Sequence, residues 1–423
     1  MADTQVPTQP TTPASRRGLI SLIVVGVLLV GGGWGVRSSF WLQDRLLKDR
    51  DRMALEGIAA SEPNNYIAQF HLAKRRYEVR QFQEATICLD RVIQANPKWD
   101  IARYNYGLVL YQTGKTSEAQ LQFEQAARLN PNLSQAVFML ACLSIARGKI
   151  EDGLTGIKEA IRMNPKDPHF YWGYGRFMIE MNQMEEAIPS LKNAVALDPK
   201  NVEYHTALGE AYTLKGEAVL AKQELDLALA INPEFAQALA LGGAYYLNNG
   251  TGADSLTKAE SMLKKSTLKK TLIPGQVWYY LGQVYTQQNK PQEAYNAYHQ
   301  ALKFDFAGEV VYFGLANAAR KLNKTKEVAK YQDEYERLQA LRLQIPLLAK
   351  HVRRIKDDAD AHLTLARAYR SMQSNQKALK HYAEYLVLRD KDKVAYDEAN
   401  KLYQKVWLEA RKPLPDSVLP SLL

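Results

Sequence analysis

The stretch Thr113-Gly114-Lys115-Thr116 comes nearest to a phosphate-binding loop. Such a loop needs a second glycine five residues earlier, so that its backbone N–H groups cradle the phosphates; position 109 is Val109, and the motif fails. The seven histidines make no H-E-x-x-H or comparable ligand spacing. His205 and His362 stand where other segments of the chain place Tyr171 and Trp278, which predicts packing roles for both. Glu185-Glu186 reads as the solvated start of a helix and not as a paired acid and base. No G-x-S-x-G elbow, dinucleotide glycine fingerprint or catalytic-cysteine context occurs. Cys88 and Cys142 are the only cysteines, which excludes a disulfide framework and a four-cysteine metal site. Each lies in an apolar helical pattern and is expected to be a buried thiol. These residues predict no enzyme, no catalytic residues, no metal and no cofactor.

The elements that carry them show a strict order. Pro97, Pro131, Pro165, Pro199 and Pro233 are each 34 residues apart, and Pro63 extends the register backwards. Small residues recur 24 positions before the five later prolines (Ala73, Gly107, Ala141, Gly175, Gly209) and 12 before them (Ala85, Ala119, Gly153, Ala187, Ala221). Small pairs of this kind let two antiparallel helices cross closely. Leu89, Phe123, Ile157, Leu191 and Leu225, eight before each proline, supply the bulk that fills the space. Gly114, Gly148, Asn182 and Gly216 mark the turn inside each pair, where a left-handed residue ends a helix. Proline ends the second helix, because it has no N–H and bars the preceding residue from helical backbone angles. A fixed period of 34 in helical sequence indicates stacked helix pairs.

The pattern resembles the tetratricopeptide repeat family over roughly residues 65–390. The resemblance implies an all-α fold, a right-handed superhelix built as a solenoid of helix pairs. Five regular units are expected over 65–235 and about four divergent ones, with insertions, over 236–390. Residues 391–412 should form a polar-faced capping helix, and 413–423 an irregular tail. The insert "LQALRLQIPLLAKHVRRIK" falls between the eighth and ninth units, and Pro346 is expected to kink it.

Family members line a concave groove with the first helix of each pair, and the resemblance implies a groove here for an extended peptide or partner helix. The positions expected to face it are Phe70, Lys74, Tyr77, Tyr104, Asn105, Tyr111, Phe138, Trp172 and Arg176, followed by Asn317, Arg320, Arg367 and Arg370. The groove would run from aromatic to basic. Some members grip a partner's terminal carboxylate with a lysine–asparagine pair in the first unit; the matching places here hold Phe70 and Lys74, which speaks against that activity.

The net charge of +10 is concentrated. Lys258–Lys356 holds eighteen Lys/Arg against eight Asp/Glu, so the rest of the chain is balanced. A basic patch of Lys264, Lys265, Lys269 and Lys270 predicts attraction to an acidic partner, with polyanion or nucleic-acid binding as the alternative. Near the start, Gly18–Val36 runs 19 residues without a charge, long enough for a membrane-spanning helix. It predicts a polar tail over 1–17, an anchor over 18–36 and a juxtamembrane half-repeat over 37–64. Residues 44–62 are expected to form one stiff helix. This topology resembles bacterial tetratricopeptide proteins tethered by one N-terminal span, and the resemblance implies a scaffold of the bacterial inner membrane with its repeats in the periplasm, or alternatively facing the cytoplasm. Its role would be to assemble or retain an envelope or membrane-associated complex.

Overall fold

The computed structural model describes residues 40, 43–147, 149–269, 273–304, 306–372, 375–389 and 391–410. All regular elements among them are α-helices, and they divide into two compact units. The first comprises the described residues up to Thr113 together with Ser117–Asn130. It is built from α1 (Arg52–Ser61), α2 (Tyr66–Glu78), α3 (Phe82–Ala95), α4 (Asp100–Gln112) and α5 (Thr116–Leu129). Its core joins Leu55, Phe70, Leu72, Leu89 and Val92, all fully or nearly fully buried.

The second unit runs from Pro131. Its helix pairs are α6 (Ser134–Ala146) with α7 (Ile150–Met163), α8 (Pro168–Glu180) with α9 (Met184–Leu197), and α10 (Val202–Lys215) with α11 (Ala218–Ile231). They continue as α12 (Ala236–Asn249) with α13 (Gly252–Thr267), α14 (Pro274–Gln287) with α15 (Pro291–Lys303), and α16 (Glu309–Lys321) with α17 (Thr325–Arg354). Last come α18 (Ala359–Ser371), α19 (Asn375–Leu388) and α20 (Lys393–Ala410).

The punctuation works as its chemistry requires. Asn96, Asn164, Asp198 and Asn232, each just before a proline, end their helices with φ between −137° and −140° and ψ between 80° and 98°. Extended backbone of this kind is what a following proline imposes. Inside the pairs, Gly114, Asn182 and Gly216 take φ of 78°, 58° and 85°. Arg80, Asn289 and Asn323 adopt the same left-handed turn, while Gly148 lies outside the described residues.

Small residues permit the close crossings. A Cβ placed on Gly175 would lie 2.6 Å from Leu191 Cγ, and one on Gly209 would lie 2.9 Å from Leu225 Cγ. On Gly107 it would meet the Phe123 ring at 2.5 Å. Within the second unit, successive first helices touch: α8 with α10, α10 with α12, α12 with α14, and α14 with α16. Successive second helices make no contact of that extent. From α8 to α16 one side of this unit is therefore a continuous row of first helices, with the second helices behind it.

Two expectations need correction. The single-pass membrane placement is overturned in the structure, because among the described residues no helix is long and apolar enough to cross a membrane; residues 18–36 lie outside the described residues. The stiff helix over 44–62 is interrupted: the chain turns at Lys48-Asp49 and restarts at Arg52, where the Asp51 carboxylate accepts from the Ala54 N–H at 2.7 Å. A short acidic side chain at that point caps a new helix in preference to continuing the old one. The insert itself is helical: α17 spans 30 residues, about 45 Å along its contour, with Pro346 inside it. Its first part pairs with α16, while Ile345, Leu348, Ala349 and Val352 in its second part pack on Ala361 and Leu365 of α18.

Candidate partner-binding faces

In the first unit the positions expected to line a groove are mostly interior. Phe70 is buried against the Trp99 ring, with centroids 4.4 Å apart, and touches His71 edge-on. Tyr104 and Asn105 are fully enclosed, Tyr111 nearly so, and Tyr104 rests on Phe123 at 5.8 Å. Lys74 and Tyr77 are half-buried. The Lys74 Nζ stands 5.8 Å from the Phe70 ring, and burial lowers its pKa, with Lys48 adding repulsion. Gln112 donates to the Tyr77 hydroxyl at 3.4 Å. The aromatic set of this unit therefore fills core volume instead of offering open contact area. Phe70 and Tyr77 of α2 are covered by the pair that follows within this unit, through Trp99 and Gln112.

In the second unit Phe138 is buried against Phe170, with ring centroids 5.0 Å apart. Trp172 is buried too, between His169 and Tyr204, and its indole N–H has no acceptor among the described residues. The Tyr204 hydroxyl and His169 Nδ1 share a hydrogen bond at 2.8 Å, and burial lowers the His169 pKa, favouring the neutral ring. Glu203 begins the next first helix half-buried, and desolvation pushes its carboxyl up to about 7. Arg176 is accessible and ion-paired with Glu210, the residue one period later. Glu180, a turn further along α8, is also pushed up by burial.

Further along the row, Gln276 donates to the Tyr280 hydroxyl at 2.7 Å and Gln283 to the Tyr279 hydroxyl at 2.9 Å, holding two half-buried rings in place. Phe313, half-exposed, leans on Tyr335 at 5.4 Å. These three aromatics were missed because only the first pairs were read for aromatic groove positions, although Tyr279 and Phe313 share the register of Trp172. Asn317 and Arg320 come together, Arg320 donating at 2.7 Å. Arg367 forks onto Glu398 of α20 at 3.1 and 3.0 Å, with Arg370 3.7 Å away and the Tyr382 hydroxyl donating at 2.7 Å. The last helix among the described residues thus answers the two arginines expected to meet a partner.

The remaining sequence candidates resolve simply. His205 and His362 are buried but hydrogen-bonded, His205 to Glu224 and the Pro199 carbonyl and His362 to the Lys356 carbonyl. Glu186 accepts from the Tyr174 hydroxyl, whose pKa burial and that carboxylate push up to about 12. Burial raises both thiols, Cys142 to about 12. In the basic patch, Lys264 pairs with Glu260 at 2.7 Å and Lys269 with Glu234 at 2.8 Å, so part of that charge is already neutralised. Lys265 is exposed, and Lys270 lies outside the described residues.

Residues 175–216 match a family model described as TPR repeat, and residues 275–305 one described as tetratricopeptide repeat. Residues 78–160 match the model for anaphase-promoting complex, cyclosome, subunit 3. The chain carries tetratricopeptide repeats. No curated protein matches it. Among solved structures it is similar to the anaphase-promoting complex hetero-tetramer Cut9-Hcn1, at 14% identity and a TM-score of 0.48, covering 83% of this chain and 58% of that one. The chain thus spans a little over half the length of that relative. It is also similar to the human IFIT1 dimer with m7Gppp-AAAA, at 18% identity and a TM-score of 0.49, covering 80% of this chain and 77% of that one. A third is YrrB, described as a TPR protein with an unusual peptide-binding site, at 20% identity and a TM-score of 0.32, covering 44% and 96%.

Proposed function

We propose that the chain is a non-catalytic scaffold that holds a protein partner on the row of first helices in its second unit. The observation that carries this reading is the continuous contact of α8, α10, α12, α14 and α16 along one side. That row presents Arg176, Glu203, Glu210, Tyr279, Tyr280, Phe313, Asn317 and Arg320 as partly or fully exposed side chains. Half-exposed aromatics fixed by hydrogen bonds lose little rotamer freedom on binding and bury large area, which is where interface energy concentrates. Mixed charge beside them supplies orientation more than affinity. An extended segment or a helix of the partner suits a row of parallel ridges better than a compact domain does.

Selection of peptides from a display library on the full chain tests this. Tyr280→Ala and Phe313→Ala should each weaken the selected ligands about tenfold or more, whereas Leu227→Ser, on the exposed back of α11, should leave them unchanged. Ligands that respond to Leu227 and ignore both aromatics would place binding on the other side.

A further inference from the structure

The second half of α17 is longer than helix pairing needs, and its back is unlike the rest of the surface. Ile345, Leu348, Ala349 and Val352 turn inward. At helical spacing the opposite line reads Leu343, Leu347, Lys350 and Arg354. Leu343 and Leu347 are 68% and 70% exposed, on one face a single turn apart. The twenty residues 337–356 contain six Lys/Arg and no Asp/Glu. Arg337 and Arg342 are paired with Glu334 and Glu309, but Lys350, Arg354 and Lys356 have no carboxylate partner among the described residues.

We infer that this back face docks an acidic amphipathic helix from a partner protein, independently of the first-helix row. The two leucines supply a seam for apolar side chains of the incoming helix. Lys350 and Arg354, with Lys356 in the turn just past the helix end, meet carboxylates along its flank, as flanking charges select partners in helix-to-helix pairing. The exposed leucines distinguish this surface from a phosphate-backbone site, where cations do the work and apolar side chains gain nothing. The fit is to a protein helix that is apolar on one stripe and acidic beside it.

The test uses the full chain and a fluorescent synthetic helix of three heptads, with leucine at the seam positions and glutamate flanking them. Saturable anisotropy is expected, weakening as salt rises. Leu343→Ser/Leu347→Ser and Lys350→Glu/Arg354→Glu should each lower affinity about tenfold or more without moving the melting temperature, since all four residues are exposed. A probe with its leucines replaced by serine should bind comparably weakly. Three results would overturn the inference: no saturable binding, a leucine variant that binds like the parent, or phosphatidylserine vesicles or a short RNA displacing the probe from both parent and leucine variant alike. The last would mark a general polyanion surface.

Discussion

His205 touches two acceptors at once. Its Nδ1 is 2.7 Å from a Glu224 carboxylate oxygen and its Nε2 3.0 Å from the Pro199 carbonyl. Neither partner offers a proton, so the ring bonds to both only when both nitrogens are protonated. The hydrogen bond to Glu224 is the main reason its pKa is raised above the ordinary 6.5. A group whose pKa is raised on folding contributes stability that is full below the unfolded value and is lost as pH rises through the folded one. His169, His299 and His381 are shifted the other way by burial, so the comparison must isolate His205. The melting temperature of the parent minus that of Glu224→Gln should be positive at about pH 5 and shrink towards pH 8. A difference that is flat across that range would contradict this reading.

At the scale of elements, the repeat was legible because each of its devices is local and costly to replace. Proline terminates, Gly or Asn turns, and small residues mark the crossings. The helical class and the pairing of helices follow from those alone. What was not legible depended on competition between neighbours. Asp51 could end one helix or begin another, and its side-chain cap decided for the second. Pro346 lies inside α17, where Ile345, Leu348 and Val352 on either side of it pack against α18. Depth was the hardest to read: helical spacing placed Tyr104 and Phe138 on the right helices, but nothing in spacing says that Tyr104 is fully enclosed or that Phe170 of the following pair covers Phe138. The crossing prediction belongs here. Gly209→Leu drives side-chain atoms into Leu225 and the Ala221 carbonyl, and overpacking of this kind typically costs about 1–3 kcal/mol. Repeats contact mainly their neighbours, so faster hydrogen exchange should appear first in α10 and α11, next in α8, α9, α12 and α13, and last in α17. Unchanged exchange over residues 202–231 would refute the assigned crossing.

For the molecule as a whole, chemistry is distributed and not focused. The pKa shifts come from burial, from pairs within the stack and from residues such as Glu203 along the first-helix row. The local excess of cations is partly answered by the chain's own carboxylates, Glu234, Glu260, Glu309 and Glu398. That combination suits a surface that sorts partners by shape and charge along many residues. Hydrogen exchange of the full chain, with and without a peptide selected on it, tests the account most directly. The account predicts slowed exchange confined to the row α8, α10, α12, α14 and α16, with α9, α11, α13 and α15 unaffected. Protection of the second helices with the first-helix row unchanged would contradict it.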